Sequence, residues 1–411
     1  MAVYGTRPEA IKMAPVIEAL RGSSAFGPLV VVTGQHRSML DQVNRVFGIE
    51  PDHDLDILTE RQTLADITTR TLQRIQPVMA RERPDIVLVQ GDTTTTLAGA
   101  LAAFYHRIPV AHLEAGLRTN SRYSPYPEEV NRRLTTQLAD LHLAPTWNAR
   151  ANLLREGIEE ASVVVTGNTV IDALLYTVSR VAGHGQFPEL ACLDGESRRI
   201  VLVTAHRRES WGSGMEAIAN AVATVATLHP DVLVVFPVHR NPAVRGAVVP
   251  RLQQLPNVRI LEPLDYTGFA HLMSRAYLIL TDSGGVQEEG PSLGKPVLVM
   301  RHTTERPEGV AAGTAALVGT DRARIVAEVT RLLRDPDAYA AMVNAVNPYG
   351  DGRAAERTVQ ALGAWFGMCD APSEFCWEPV KQAVSGDGGV APQSGPVDTA
   401  EGARRLTRVG E

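Results

Sequence analysis

Apolar residues fall along this chain in short continuous runs, separated by longer stretches where they recur every three or four positions. The runs Leu29–Thr33, Asp85–Gln90, Pro109–Leu113, Leu141–Pro145 and Val163–Thr166 are largely β-branched or apolar. Between them, Ala10–Arg21, Ser38–Phe47, Arg61–Met79, Thr93–His106, Glu128–Ala139 and Trp147–Glu156 carry helical spacing. Continuous apolar strands alternating with helices predict a parallel sheet covered on both faces, a doubly wound domain. Met1–Tyr4 supplies a first strand shorter than the roughly five or six residues usual for a buried strand. The strand's natural beginning is therefore expected upstream of Met1.

Gly167-Asn168-Thr169 opens a further helix through about Val181, and the Gly- and polar-rich stretch Gly183–Ser197 reads as a connection. A second series of strands follows at Arg199–Thr204, Val232–Pro237, Val258–Leu261, Tyr277–Thr281, Pro296–Met300 and Ala315–Val318, again with helices between. The α/β pattern thus predicts two doubly wound, Rossmann-like domains facing a cleft, a GT-B-like architecture. Residues 1–170 form the first domain and 171–349 the second, with a final helix at about 350–367 joining the first. Residues 368–411, rich in Gly, Pro and Ser and poor in apolar anchors, read as a disordered tail.

Composition narrows the function classes. With 44% hydrophobic and 21% charged residues and a net charge of −6, the 411-residue chain has the balance of an ordinary soluble protein. The absence of a long basic run argues against nucleic acid, and no apolar stretch approaches the roughly 18–20 residues of a membrane span. MAVYGTRPEA lacks the pattern of a signal peptide. Three scattered cysteines, Cys192, Cys369 and Cys376, indicate neither a disulfide framework nor a zinc site, and a cytoplasmic location is expected.

Charge concentrates between Gln90 and Arg133, where Asp92, Glu114, Glu128 and Glu129 alternate with Arg118, Arg132 and Arg133 at strand ends and helix starts. Any one of these acids is explained by helix capping or a surface ion pair; three junctions in succession point to a shared cleft. In the second half, Asp282-Ser283-Gly284-Gly285 follows a strand and opens a helix, so backbone N–H groups and the helix dipole can hold a diphosphate, with Glu289 one turn on to meet ribose hydroxyls. Arg306, His206 and His239 fall near other strand ends, each His with an Arg neighbour, and suit a phosphate-lined cleft better than a metal. Arg7 and Lys12 flank the first strand–helix turn and Gln35-His36-Arg37 marks the second, while Thr93–Thr96 caps a helix. An acidic half facing a phosphate-gripping half suits acid/base work on the sugar of a sugar nucleotide.

At these residues the chain resembles the non-hydrolysing UDP-N-acetylglucosamine 2-epimerases. GTRPEAIKMAP, GQHRSMLDQ, GDTTTTLAGALAAFYHRIPV, HLEAGLRT, YSPYPEEVNRR, GNTVIDALL, TAHRRESWG, PVHRNPAVR, LTDSGGVQEEGPSLGKPVLVMR, TTERPEGVAAGT and NPYGDGRA fall in order from about residue 4 to 362. The resemblance implies a GT-B fold, a homodimer, and interconversion of UDP-GlcNAc and UDP-ManNAc without nicotinamide, metal or other cofactor. It further implies elimination of UDP to 2-acetamidoglucal and re-addition, which needs acid/base groups on both faces of C2. Asp92, Glu114 and Glu128 are then the acid/base candidates, with Arg132 and His206 assisting. Arg7, Lys12, His239, Ser283, Gly284, Gly285, Glu289 and Arg306 hold UDP and sugar, and Leu264 and Phe269 match the uracil side.

Gln35 and Arg61 match segments that in bacterial members frame a site for a second, activating UDP-GlcNAc. Ser38, Ser210 and His302 depart from the family pattern around that loop and around the substrate, away from the five catalytic candidates. A GT-B glycosyltransferase and a hydrolysing epimerase that releases free sugar remain as alternative readings of the same UDP grip.

Overall fold

Strands whose every residue is apolar bury both faces and so require helices above and below. In the computed structural model, which describes residues 1–35, 37–181, 187–207 and 210–377, Val30–Val32, Val87–Val89 and Val201–Val203 meet that condition, each almost fully shielded from solvent. The first sheet contains β1 (Ala2–Tyr4), β2 (Val30–Val32), β3 (His53–Asp54), β4 (Val87–Gln90), β5 (Val110–Leu113), β6 (Leu141–Ala144) and β7 (Val163–Val165). Its order is β3-β2-β1-β4-β5-β6-β7, with parallel pairing. The second contains β8 (Arg199–Thr204), β9 (Val232–Pro237), β10 (Val258–Leu261), β11 (Ala276–Thr281), β12 (Val297–Val299) and β13 (Ala315–Leu317), ordered β10-β9-β8-β11-β12-β13 and also parallel. Two parallel doubly wound sheets make this the expected GT-B arrangement. β3, a two-residue edge strand, gave no apolar run to predict it.

Strand order reverses between β1 and β4 in one sheet and between β8 and β11 in the other. A doubly wound sheet opens a crevice at such a point, outside the carboxyl ends of its strands. The residues that follow β1, β4, β8 and β11 are therefore the ones the fold presents.

The helix Thr169–Val181 serves both halves. Val170, Ile171 and Ala173 pack into the apolar cluster of Met13, Ile17 and Leu143, whereas Leu174 packs with Leu202, Leu233 and Met273 of the second sheet. The last helix, Ala354–Trp365, returns to the first cluster through Ala355, Ala361 and Leu362. Its start is held by Asp172, whose carboxylate accepts the amides of Ala354 at 3.2 Å and Ala355 at 2.8 Å. Two of the amides orphaned by the helix start are thereby satisfied out of contact with water.

Within the connection expected over 183–197, Pro188–Leu193 forms a 3-10 turn whose Leu190 and Leu193 are buried in the second core. Residues 368–377, expected to belong to a disordered tail, are held in place. They run beside β7, where the Phe375 amide donates to Val165 O at 2.8 Å and Glu374 accepts the Val165 amide at 2.9 Å. Trp147 Nε1 donates to Phe375 O, and Phe375 is buried against Ala144, Ala149 and Val165. A segment laid along an edge strand shields its unpaired backbone groups, so two aromatic anchors, Phe375 and Trp377, suffice to hold it. The rest of the expected tail, 378–411, lies outside the described residues, as do 183–186 of the connection.

Replacing Asp172 with Ala strands two buried amides and is expected to destabilise the protein by about 3 kcal/mol. Chemical denaturation would register this as a lower midpoint, with Asp172→Asn, which keeps one acceptor, falling between the variant and the parent.

Candidate active site

Gly5 to Lys12 follow β1, and Asp92 follows β4. Glu9 completes the capping box of its helix from a buried position. It accepts the Gly5 and Thr6 amides at 3.0 and 2.7 Å, and takes the hydroxyls of Thr93 and Thr96 at 2.6 and 3.0 Å. The threonine run thus caps its own helix, through Thr93, and also ties the ends of β1 and β4 together. Burial pushes the Glu9 carboxyl above its usual range despite these donors.

Glu114 ends β5 in the left-handed backbone region, with φ at 63°, a conformation that costs a non-glycine residue about 1 kcal/mol or more. Gly116, two residues on, has φ at 91°, and a Cβ there would lie 2.3 Å from Ala149 O. The chain therefore doubles back sharply, and Glu114 turns to meet Lys12, Gln90 and Asn168. Burial pushes the Glu114 carboxyl up, but the Lys12 ammonium, with Arg306 and Asn168, outweighs it and holds the group below the ordinary range. Asp92 goes the other way. Burial, reinforced by the charge of Glu114, raises it even though Arg132 is in ion-pair contact. Neighbouring carboxyls driven in opposite directions are the mark of a paired acid and base.

Glu128 is the first residue of the helix Glu128–Leu138 and Arg132 lies one turn on. Glu129 and Arg133 do structural work. Glu129 is 1% exposed and accepts from the Thr119 amide and from Arg132 and Arg133, pinning the loop in front of the helix. Arg118 pairs with Glu156 through two bonds of 2.8 and 2.7 Å.

In the second domain Ser283, Gly284 and Gly285 open the helix that follows β11. A side chain at Gly284 would press on the Arg306 guanidinium, 3.2 Å from its Cζ. Arg306 pairs with Glu288 at 2.8 Å. Glu289, on the same helix, is buried beside Glu288; burial and that neighbouring charge push its carboxyl up to about 8, against the pull of Lys12 and Arg7. His206 follows β8 and lies against Asp282; its ring is 6.2 Å from that of His239, which follows β9. These two histidines, with Leu264, Phe269 and Ser283, line a cavity of about 190 Å³ with a largely apolar floor.

The two halves meet through side chains. Asn168 donates to Glu114 at 3.2 Å and to Glu288 at 3.0 Å, so Lys12, Glu114, Asn168, Glu288 and Arg306 form one chain of polar contacts across the cleft. Gln42 reaches Asp265 at 3.0 Å and Thr146 reaches Glu308 at 3.1 Å. A cavity of about 630 Å³ collects Lys12, Asp92, Glu114, Glu128, Arg132 and Arg306. Arg7, half-buried, does not line it but acts on Glu289 through its charge. Gln35, which accepts the Thr95 hydroxyl at 2.9 Å, and Arg61, in an exposed turn, do not line it either. His36, Arg208 and Glu209 lie outside the described residues.

Sequence reasoning passed over Gln90, Asn168 and Glu288 as site residues. Asn168 carried a usable signal, since it stands in a Gly-Asn-Thr turn between a strand and a helix, the same kind of junction as the others. Among the described residues no group of three His, Cys, Asp or Glu side chains gathers as a metal-binding set, and no helix is long and apolar enough to cross a membrane.

Residues 18–363 match the family described as UDP-N-acetylglucosamine 2-epimerase. Relatives of that name from Escherichia coli K12 and Yersinia pestis are 55% and 56% identical over 367 and 370 residues, spanning 88% of this chain and 97% of each relative. The crystal structure of UDP-GlcNAc 2-epimerase from Neisseria meningitidis bound to UDP-GlcNAc superposes with a TM-score of 0.80 at 48% identity, over 88% of this chain and 98% of that one. The Methanocaldococcus jannaschii enzyme in complex with UDP-GlcNAc and UDP gives 0.72 at 35% identity, over 88% and 99%.

Glu289 carries a pH prediction. Its carboxyl is raised on folding, so the folded state holds the proton more tightly than the unfolded chain, and stability drains away as pH rises from about 4.5 to about 8. Thermal unfolding of Glu289→Gln, which cannot ionise, is expected to match the parent near pH 5 and to exceed it near pH 8, by the order of 3 kcal/mol. A constant difference across that range would contradict the assignment.

Proposed function

The chain belongs to the UDP-N-acetylglucosamine 2-epimerases, and from that premise we propose that its cleft inverts C2 of UDP-GlcNAc by eliminating and re-adding UDP. The observation that carries the mechanism is the gathering of Asp92, Glu114 and Glu128 around one cavity with Lys12, Arg132 and Arg306. A sugar C2 has no adjacent ring carbonyl to acidify its proton, so direct exchange is very hard and loss of the C1 substituent must accompany it. Glu114, held ionised by Lys12, takes the C2 proton. The C1–O bond breaks, its electron pair passes to the β-phosphate oxygen of UDP, and the C1–C2 double bond of 2-acetamidoglucal forms.

Re-addition reverses the bond changes: a UDP oxygen attacks C1 while C2 receives a proton on its opposite face. Asp92, raised by burial, is the group poised to give that proton, and Glu128 lines the same wall. Lys12, Arg306, His206 and the amides of Ser283–Gly285 meet the charge that grows on the leaving diphosphate. His239, Leu264 and Phe269 receive the nucleoside, and a protonated Glu289 can both give and accept hydrogen bonds to ribose. The product in this reading is UDP-ManNAc. A homodimer, and a second UDP-GlcNAc held near Gln35 and Arg61, belong to the same proposal.

Incubation with UDP-GlcNAc in deuterated water is expected to yield UDP-ManNAc carrying deuterium at C2; free sugar released in step with UDP would instead mark a hydrolase. Asp92→Asn should lose at least about a hundredfold in kcat while UDP affinity changes little. Parental turnover in that variant would remove Asp92 from the chemistry.

A further inference from the structure

His206 and Asp282 stand on either side of the point where strand order reverses in the second sheet, at the carboxyl ends of β8 and β11. Asp282 is fully buried. Its Oδ2 accepts the amides of His206 and Arg207 at 2.7 and 2.8 Å, which fixes the turn that carries the histidine. Its Oδ1 is shut off from water and accepts no aligned hydrogen bond, yet His206 Nδ1 lies 3.1 Å away. A buried carboxylate oxygen without a donor is costly, and a modest turn of the imidazole would supply one. Catalytic hydrogen bonds are often misaligned before substrate binds and tighten afterwards. Burial pushes the Asp282 carboxyl up, but the histidine and the two amides outweigh it and leave the group below its ordinary range.

The other face of the ring is open. His206 is about half-exposed, with a side chain 42% accessible, and lines the cavity shared with His239 and Ser283. Arg207, its neighbour, lines the larger cavity with Arg306. The imidazole therefore stands between a buried carboxylate and the space where the diphosphate is proposed to lie. From this geometry we infer that Asp282 is a positioning residue. It binds Nδ1–H of His206, so that Nε2 is the ring atom presented to the departing diphosphate. The pairing rests on the proposed reading of the cleft, but it adds a residue and a tautomer to it. An Asn at 282 would donate its amide to Nδ1, which favours the opposite tautomer, Nε2–H, and removes the carboxylate that stabilises an imidazolium facing the phosphate.

The test is a double-variant cycle with a spectroscopic arm on the full chain. Asp282→Asn and His206→Asn are each expected to lower kcat by roughly a hundredfold with KM little changed, and the double variant to be no worse than either alone. Losses that multiply in the double variant would overturn the inference, because Asp282 would then act independently of the histidine. In the parent enzyme saturated with UDP, 15N NMR of labelled histidine, assigned by comparison with His206→Asn, should show His206 protonated on Nδ1. An unprotonated Nδ1 would overturn the inference as well, and this measurement decides the matter even where Asp282→Asn does not fold. It needs no turnover. A parent enzyme that binds UDP with the expected tautomer but forms no UDP-ManNAc would count against the epimerase mechanism alone.

Discussion

Glu114 lies buried where the two domains meet, and a carboxylate in that position loses several kcal/mol of hydration unless donors and a cation replace the water. Lys12 supplies the cation; Gln90 and Asn168 supply the donors. Each belongs to a different segment, so the acid is satisfied only when β1, β4, β5 and the turn after β7 are all in place. Asn168 then passes the constraint on, because its amide also holds Glu288, which in turn holds Arg306. Glu114 of the first domain and Arg306 of the second are thus two ends of one polar chain. Removing either partner of a buried pair leaves an unanswered charge, which makes this chain sensitive to single substitutions along its length.

The same constraint gives the chemistry its asymmetry. Lys12 holds the Glu114 carboxyl below its ordinary range, and the charge of Glu114 adds to the burial that raises Asp92. In the proposed mechanism the lowered carboxyl takes a proton and the raised carboxyl gives one. Lys12 and Arg306 each rest on a carboxylate, Glu114 and Glu288.

The sheets, most of the helices and the acid-rich junctions were legible in the sequence because each leaves a local mark: apolar runs, helical spacing, or glycine beside charge. Asp92, Glu114, Glu128, Arg132 and Arg306 come together as the order of those junctions suggested. What stayed hidden depends on distance in space. Asn168 and Gln90 are amides whose role is to join segments that the sequence keeps 54 and 24 residues apart from Glu114. Glu9 received no reading from the sequence, and only its buried contacts reveal it as a tie between β1 and β4. Residues 368–377 were read as tail together with the Gly/Pro/Ser-rich stretch that follows them, although Phe375-Cys376-Trp377 is apolar and Phe375 packs beside β7.

In the proposed elimination the C1–O bond breaks in every turnover. The most direct measurement uses UDP-GlcNAc labelled with 18O in the oxygen that bridges C1 and the β-phosphorus. Elimination frees that oxygen to exchange places with the other β-phosphate oxygens before UDP re-adds, so label should move into non-bridging positions of recovered UDP-GlcNAc and of UDP-ManNAc. Product formed with all of the label still in the bridge would contradict the account.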